Sequence, residues 1–158
     1  MAKIAHVRLR PETSADAPFI LDLFISTRDD LLGWRDLPPA QRTELLKSQS
    51  AYQQTHYQAV YPNAWFTIVE VDEKPAGRLY VNQSSQELRI IEISLLPEYR
   101  QHGIGTTLIK NIQAEASRTK TPVRLCAEIG SEVRNFYKNL GFQEAYRDAT
   151  HIHFIWNA

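Results

Sequence analysis

Residues 87–110 read ELRIIEISLLPEYRQHGIGTTLIK. The apolar run from Leu88 to Leu96 predicts a buried strand. Pro97 ends it, because proline cannot donate to a central ladder. The segment Arg100-Gln101-His102-Gly103-Ile104-Gly105 then turns the chain into an amphipathic helix, with Leu108, Ile109, Ile112 and Ala116 at helical spacing. A strand, a glycine-bearing turn and a helix start make an anion site. The first N–H groups of a helix have no internal partner, and its dipole adds positive potential there. Gly103 and Gly105 carry no Cβ, so a phosphate can approach their backbone. The dinucleotide fingerprint needs a third glycine, and a Walker loop needs Gly-Lys-Ser/Thr where this chain has Gly-Ile-Gly-Thr.

The spacing Arg-x-x-Gly-x-Gly after a strand ending Leu-Leu-Pro-Glu-Tyr resembles the acetyl-CoA loop of the GNAT family of N-acetyltransferases. The stretch Asn135-Phe136-Tyr137-Lys138-Asn139-Leu140-Gly141-Phe142 is similar to that family's Tyr-x-x-x-Gly-Phe near the C-terminus. The two motifs stand in the family's order, and the resemblance implies a single domain over residues 1–158. It implies an α/β mixed sheet of six or seven strands with helices on both faces, and acetyl-CoA as acetyl donor without a metal. It also implies that the strand ending at Leu96 and the strand Val123–Ala127 lie parallel and splay apart. The pantetheine arm would lie in that gap against the backbone of Leu95 and Leu96. Backbone groups of Gln101, His102, Gly103, Ile104, Gly105 and Thr106 would cradle the pyrophosphate. Arg100 would add charge there, or sit as an ordinary surface side chain.

The same resemblance assigns catalysis. An ammonium has no lone pair, so a base must free the amine, directly or through water, and an acid can protonate the departing thiolate. A backbone N–H usually serves the thioester oxygen as charge develops. Tyr137 matches the family tyrosine and is the candidate acid; its bland alternative is a core tyrosine beside Phe136. Glu92 is the one carboxylate inside the Ile/Leu run and is the candidate base. It has a bland alternative too, an ion pair with Arg89 or Arg124. Glu128 and a bound water are the other candidate bases. Asn135 joins the cofactor contacts. Many members carry an asparagine six or seven residues before the tyrosine, where this chain has Gly130 and Ser131; Ser131 either substitutes through its hydroxyl or that contact is missing.

The bulk properties set limits. A chain of 158 residues fits one domain with a full core. Apolar residues make 43% and charged residues 23%, as in ordinary globular proteins. The 18 basic and 18 acidic side chains cancel, which argues against nucleic acid or an anionic membrane as partner. A single cysteine, Cys126, permits no internal disulfide. The segment MAKIAHVRLRPETSADA reads as neither a signal peptide nor a membrane span. A cytoplasmic enzyme is expected, with homodimer formation open.

Along the chain, Ile4–Arg10 predicts an edge strand ended by Pro11. Thr13–Asp16 offers an N-cap for a helix to about Leu32, closed by Gly33. A second helix should run from about Pro39 to Tyr57. Asp29, Asp30, Trp34, Asp36, Tyr52, His56, Tyr57 and Tyr61 either form an aromatic and acidic amine pocket or belong to an ordinary helix pair and a solvated turn. Trp65–Val71 and Ala76–Asn82 predict a hairpin around Asp72–Pro75. Val123–Ala127 predicts a short buried strand, with Cys126 as a small core residue. A helix is expected over Ser131–Leu140, capped by Ser131 and stopped by Gly141. Phe142–Tyr146 and His151–Trp156 predict a final antiparallel pair. His56, His151 and His153 form no metal set, because no further ligand stands at suitable spacing.

The expected activity is transfer of acetyl from acetyl-CoA to a primary amine, on a small molecule or a peptide, by direct attack in a ternary complex. The alternative is a GNAT-fold module that binds CoA as a sensor or assembly domain without turnover.

Overall fold

The computed structural model describes residues 6–28 and 36–158. The strands are β1 (Val7–Pro11), β2 (Trp65–Val71), β3 (Lys74–Gln83), β4 (Leu88–Leu95), β5 (Val123–Glu128), β6 (Gln143–Arg147) and β7 (His151–Trp156). The helices are α1 (Ala17–Arg28), α2 (Pro39–Val60), α3 (Ile104–Thr119) and α4 (Arg134–Asn139). One mixed seven-stranded sheet has the order β1-β2-β3-β4-β5-β7-β6. The chain clusters into two compact units, residues 1–79 with 93–100, and residues 80–92 with 101–158.

In the first unit, β1 pairs antiparallel with β2, placing Arg8 opposite Glu70 and Arg10 opposite Ile68. This edge carries an ion network. Arg8 Nη2 lies 2.6 Å from Glu70, and Arg10 reaches Glu70 at 2.9 Å and Asp16 at 2.7 Å. Asp16 and Glu70 are buried. The Thr13 N–H donates to the Asp16 carboxylate at 2.8 Å, so Asp16 ties the start of the helical segment to the edge strand. A 3-10 turn over Ser14–Asp16 leads into α1, whose Ile20, Leu23 and Phe24 are buried. Ile4 and the expected helix end at Leu32 and Gly33 lie outside the described residues.

The predicted β2 matches residue for residue. The turn after it is shorter than Asp72–Pro75. Asp72 and Glu73 alone take positive φ, 50° and 69°, as a two-residue type I′ connection requires. Lys74 and Pro75 therefore already belong to β3. Gly77 lies under β4: a Cβ built there would stand 2.1 Å from the Ser94 carbonyl oxygen. Buried Arg78 donates to Gln54 at 2.9 Å and to Gln53 at 2.7 Å, fixing α2 to β3. α2 continues past Tyr57 to Val60, where the Tyr61 N–H caps Tyr57.

In the second unit, α3 buries Ile104, Leu108, Ile109 and Ala116. Val123 and Leu125 of β5 are buried, with Phe142, Ile152 and Phe154. The buried Gln113 amide donates to the Leu140 carbonyl at 2.8 Å and so ties α3 to the end of α4. Gly141, at φ 92°, gives the left-handed stop expected there. The start of α4 is a correction. Ser131 is not its N-cap: Gly130 turns at φ 91° and the Ser131 N–H bonds to Glu128 O at 3.1 Å. That turn delays the helix to Arg134.

Candidate active site

The parallel pairing of β4 with β5 joins Leu88 to Val123 and Arg89 to Arg124. Beyond these positions the strands carry Glu92 on one side and Cys126 and Glu128 on the other. The pattern along β4 follows: Leu88 and Ile90 are buried, while residues 91–95 are all half-buried. A strand that loses its neighbour leaves one flank open.

Tyr137 of α4 belongs to this place. It is 7% exposed. Its ring packs edge-on against Phe136 and Phe142, with centroids 5.3 and 5.7 Å away, and tilted against Phe154 at 5.5 Å. Its hydroxyl forms no hydrogen bond among the described residues, and its oxygen keeps a small opening to the surface. Burial pushes the phenol above its ordinary pKa, and the negative charges of Glu92 and Cys126 push further in the same direction. Glu92 and Cys126 thus lie within electrostatic reach of the phenol, while the ring itself packs on the Phe154 face of the sheet.

Glu92 is half-buried, less enclosed than its place in an Ile/Leu run suggests. Both arginines suggested as its partners reach Glu87, Arg89 at 2.9 Å and Arg124 at 4.0 Å. Glu128 is exposed at the end of β5.

Cys126 is a second correction. It is exposed and not part of the core. Side chains alternate across a strand, so burying Val123 and Leu125 turns Cys126 to the other face. Neighbouring atoms still cover enough of the thiol to push its pKa up. Arg89 opposes that shift, while Asp148 and Glu92 add to it. Directly across the antiparallel ladder stands His153. Its Nε2 lies 2.8 Å from Asp148, and its ring stacks on Tyr146 with centroids 4.2 Å apart. His153 and the N–H groups of Thr150 and His151 hold the Asp148 carboxyl well below the usual range. This His–Asp pair was not foreseen, although the alternation of His151-Ile152-His153-Phe154 signals a polar face on β7.

The turn before α3 leads from β4 into a helix that begins at Ile104. Gln101 and Gly103 take positive φ, 64° and 80°. The first helical bond runs from the Thr107 N–H to the Gly103 carbonyl at 3.0 Å. The N–H groups of Ile104, Gly105 and Thr106 therefore precede the internal ladder and can serve an anion. A Cβ at Gly103 would meet nothing within 4 Å, and one at Gly105 would meet Phe136 Cζ at an ordinary 3.6 Å. His102 is exposed. Ser131 and Asn135 line one polar depression of about 700 Å³ with Glu132, Arg134 and Lys138.

In the first unit, the Leu95 carbonyl accepts from Arg100 Nε at 2.9 Å, and the Leu96 N–H donates to Ala76 O at 2.8 Å. Arg100 thus folds back on its own strand end, with its remaining guanidinium N–H groups on an exposed side chain. Of the aromatic and acidic set around α2, Asp29, Asp30 and Trp34 lie outside the described residues. Tyr52 is exposed and stacks with His56, with centroids 6.2 Å apart. No metal-holding group of His, Cys, Asp and Glu occurs among the described residues. No described helix is long and apolar enough to cross a membrane.

Comparison with known proteins agrees with this fold. The profile of the acetyltransferase (GNAT) domain family matches residues 62–144. No curated protein sequence matches. Among solved structures, the PaiA N-acetyltransferase of Thermoplasma acidophilum in complex with coenzyme A is 15% identical, with TM-score 0.72 over 97% of this chain and 99% of that one. A GCN5-related N-acetyltransferase of Rhodopseudomonas palustris is 17% identical, with TM-score 0.69 over 100% of both chains. An acetyltransferase of Thermus thermophilus is 15% identical, with TM-score 0.69 over 96% of this chain and 97% of that one.

Proposed function

The chain belongs to the GNAT acetyltransferase family, and we propose that it moves the acetyl group of acetyl-CoA to a primary amine within a ternary complex. The observation that carries this reading is the parting of β4 from β5 beside a buried, unpartnered phenol. The N–H groups of Gly103, Ile104, Gly105 and Thr106, with the loop backbone at Gln101 and His102, cradle the pyrophosphate. Arg100 contributes charge from its outward guanidinium nitrogens. The backbone at Leu95 and Leu96 accompanies the pantetheine arm; the Leu96 N–H is already engaged, so carbonyl oxygens carry more of that contact. Ser131 and Asn135 contact the arm from the polar depression on α4.

Glu92 takes a proton from the incoming ammonium, directly or through water. The free amine attacks the thioester carbonyl, and the tetrahedral intermediate collapses with the thiolate leaving. Tyr137 donates its proton to that sulfur. Its raised pKa keeps it protonated near neutral pH, and the developing thiolate must draw the proton from a weaker acid than an ordinary tyrosine. The phenol also gains the partner that its buried setting lacks.

The test has two parts. Acetyl-CoA should raise the melting temperature through linkage. Gly105→Val should abolish most of that shift, because the space beside Gly105 accepts a first carbon but a branched one crowds a bound phosphate. A folded variant that binds like the parent refutes the loop assignment. Thiol release from acetyl-CoA, measured over a panel of small and peptide amines, then separates catalysis from a module that only binds CoA.

A further inference from the structure

The reaction proposed above calls on Ser131 and Asn135 of the depression on α4 and leaves its two cations without a task. Arg134 and Lys138 stand four residues apart, so they share one side of the helix. Burial of Tyr137 turns that side outward, and Arg134, Asn135 and Lys138 are all exposed. Arg134 Nη2 reaches Glu144 at 3.2 Å, which engages one of its five N–H donors. Glu144 is shared, because Arg147 also donates to it. Lys138 forms no ion pair among the described residues. Arg134, Lys138 and Arg147 thus stand against Glu132 and Glu144, and this side of α4 keeps an excess of positive charge.

The depression also has a fixed relation to the anion cradle. A Cβ built on Gly105 would stand 3.6 Å from Phe136 Cζ, so the Phe136 ring of α4 lies against the first turn of α3. The Gln113 amide ties the middle of α3 to Leu140, at the end of α4, at 2.8 Å. The N–H groups of Ile104, Gly105 and Thr106 serve the pyrophosphate in that reading. Coenzyme A carries a third phosphate, a monoester at the ribose 3′ oxygen with nearly two negative charges near neutral pH. We propose that Arg134 and Lys138 receive this 3′-phosphate and make the protein selective for donors that carry it, an inference that rests on the acetyl-CoA reading above.

The two cations act in different ways. A guanidinium offers parallel donors that fit two oxygens of one phosphate, while an ammonium acts as a point charge. The Arg134–Glu144 contact is exposed, so exchanging it for a phosphate costs little. Glu132 on the same rim opposes an anion, and the excess of cations decides the sign. Exposed charges work in water and are screened by salt, so the pair supplies selectivity and not most of the affinity. The bulk of the binding stays with the cradle and the open strand backbone.

The experiment titrates the full chain with coenzyme A and with dephospho-coenzyme A, which lacks only that phosphate, by calorimetry with thermal melting alongside. Coenzyme A should bind about tenfold tighter, the scale of one charge-assisted contact, and added salt should narrow the difference. Lys138→Gln leaves the Arg134–Glu144 pair in place and should lose part of the preference. Arg134→Gln combined with Lys138→Gln should bring the two ligands within about twofold, with dephospho-coenzyme A bound as by the parent. Arg118→Gln removes the same charge in the last turn of α3, away from the cradle, and should keep the parental preference. Equal affinity of the parent for both ligands, a preference that survives the double change, or one that Arg118→Gln removes as well, overturns the inference. A parent that neither ligand stabilises removes the acetyl-CoA reading and this inference together; stabilisation by both alike removes the inference alone.

Discussion

Replacing Tyr137 by phenylalanine separates packing from chemistry. The ring is held by Phe136, Phe142 and Phe154 at centroid distances of 5.3–5.7 Å, and phenylalanine keeps all three contacts. The hydroxyl it loses has no hydrogen-bond partner among the described residues, so no partner is left unsatisfied. Stability should therefore change by less than about 1 kcal/mol. Turnover should fall by roughly 10²-fold, the lower end of general acid catalysis, or about 2.7 kcal/mol in the barrier. The assay is amine-dependent thiol release under saturating acetyl-CoA, with thermal melting as the check on folding. An acyl donor whose thiol is more acidic needs less help from an acid, so the loss should shrink with it. Equal losses with both donors would make Tyr137 a positioning residue, and an unchanged rate would remove it from the mechanism. The raised pKa adds a further expectation. The parent should show no loss of rate from phenol ionisation up to the ordinary tyrosine value near ~10.

Glu92→Gln should lower turnover across neutral pH with little change in acetyl-CoA affinity, and raising the pH should restore part of the rate; a parental pH profile would pass the role of base to Glu128 or to water. Gly77→Ala and Gly103→Ala should differ sharply in melting temperature. A Cβ at Gly77 collides with the Ser94 carbonyl at 2.1 Å, a backbone overlap that should cost more than about 3 kcal/mol, whereas at Gly103 only the φ of 80° is unfavourable, at about 1 kcal/mol. Two similar losses would contradict the packing under β4. Asp16 is buried against Arg10, which holds its carboxyl below the usual range. Its contribution is thus present above the ordinary aspartate value near ~3.9 and is lost as pH falls through the lowered native value. Asp16→Asn should cost about 3 kcal/mol near neutral pH and flatten the acid limb of the melting curve; an unaltered acid limb would assign that limb to other carboxylates.

Much of this fold is legible because local and long-range preferences agree. Trp65–Val71 alternates, is rich in β formers and ends at residues that accept positive φ, so its bounds read off directly. The stop at Gly141 is legible for the same reason, since it needs a left-handed glycine. Ser131 misleads because its hydroxyl suits a cap, while the tie of its N–H to Glu128 O depends on how β5 ends.

The misreading of Cys126 and the overstated burial of Glu92 share one cause. Val-Arg-Leu-Cys-Ala and Ile-Ile-Glu-Ile both sound like strands covered on every side. Apolar runs report propensity and not how far a neighbouring strand extends. Pairing of β4 with β5 covers only the positions opposite Val123 and Arg124. After that, period two alone governs: Leu125 turns inward and Cys126 outward, and Glu92 stays half-buried on a flank without a ladder. The positions where the sequence is least informative are thus those where a strand has lost its partner. In the reaction proposed above, the open backbone and the side chains at that loss would be the ones to meet a thioester and an amine.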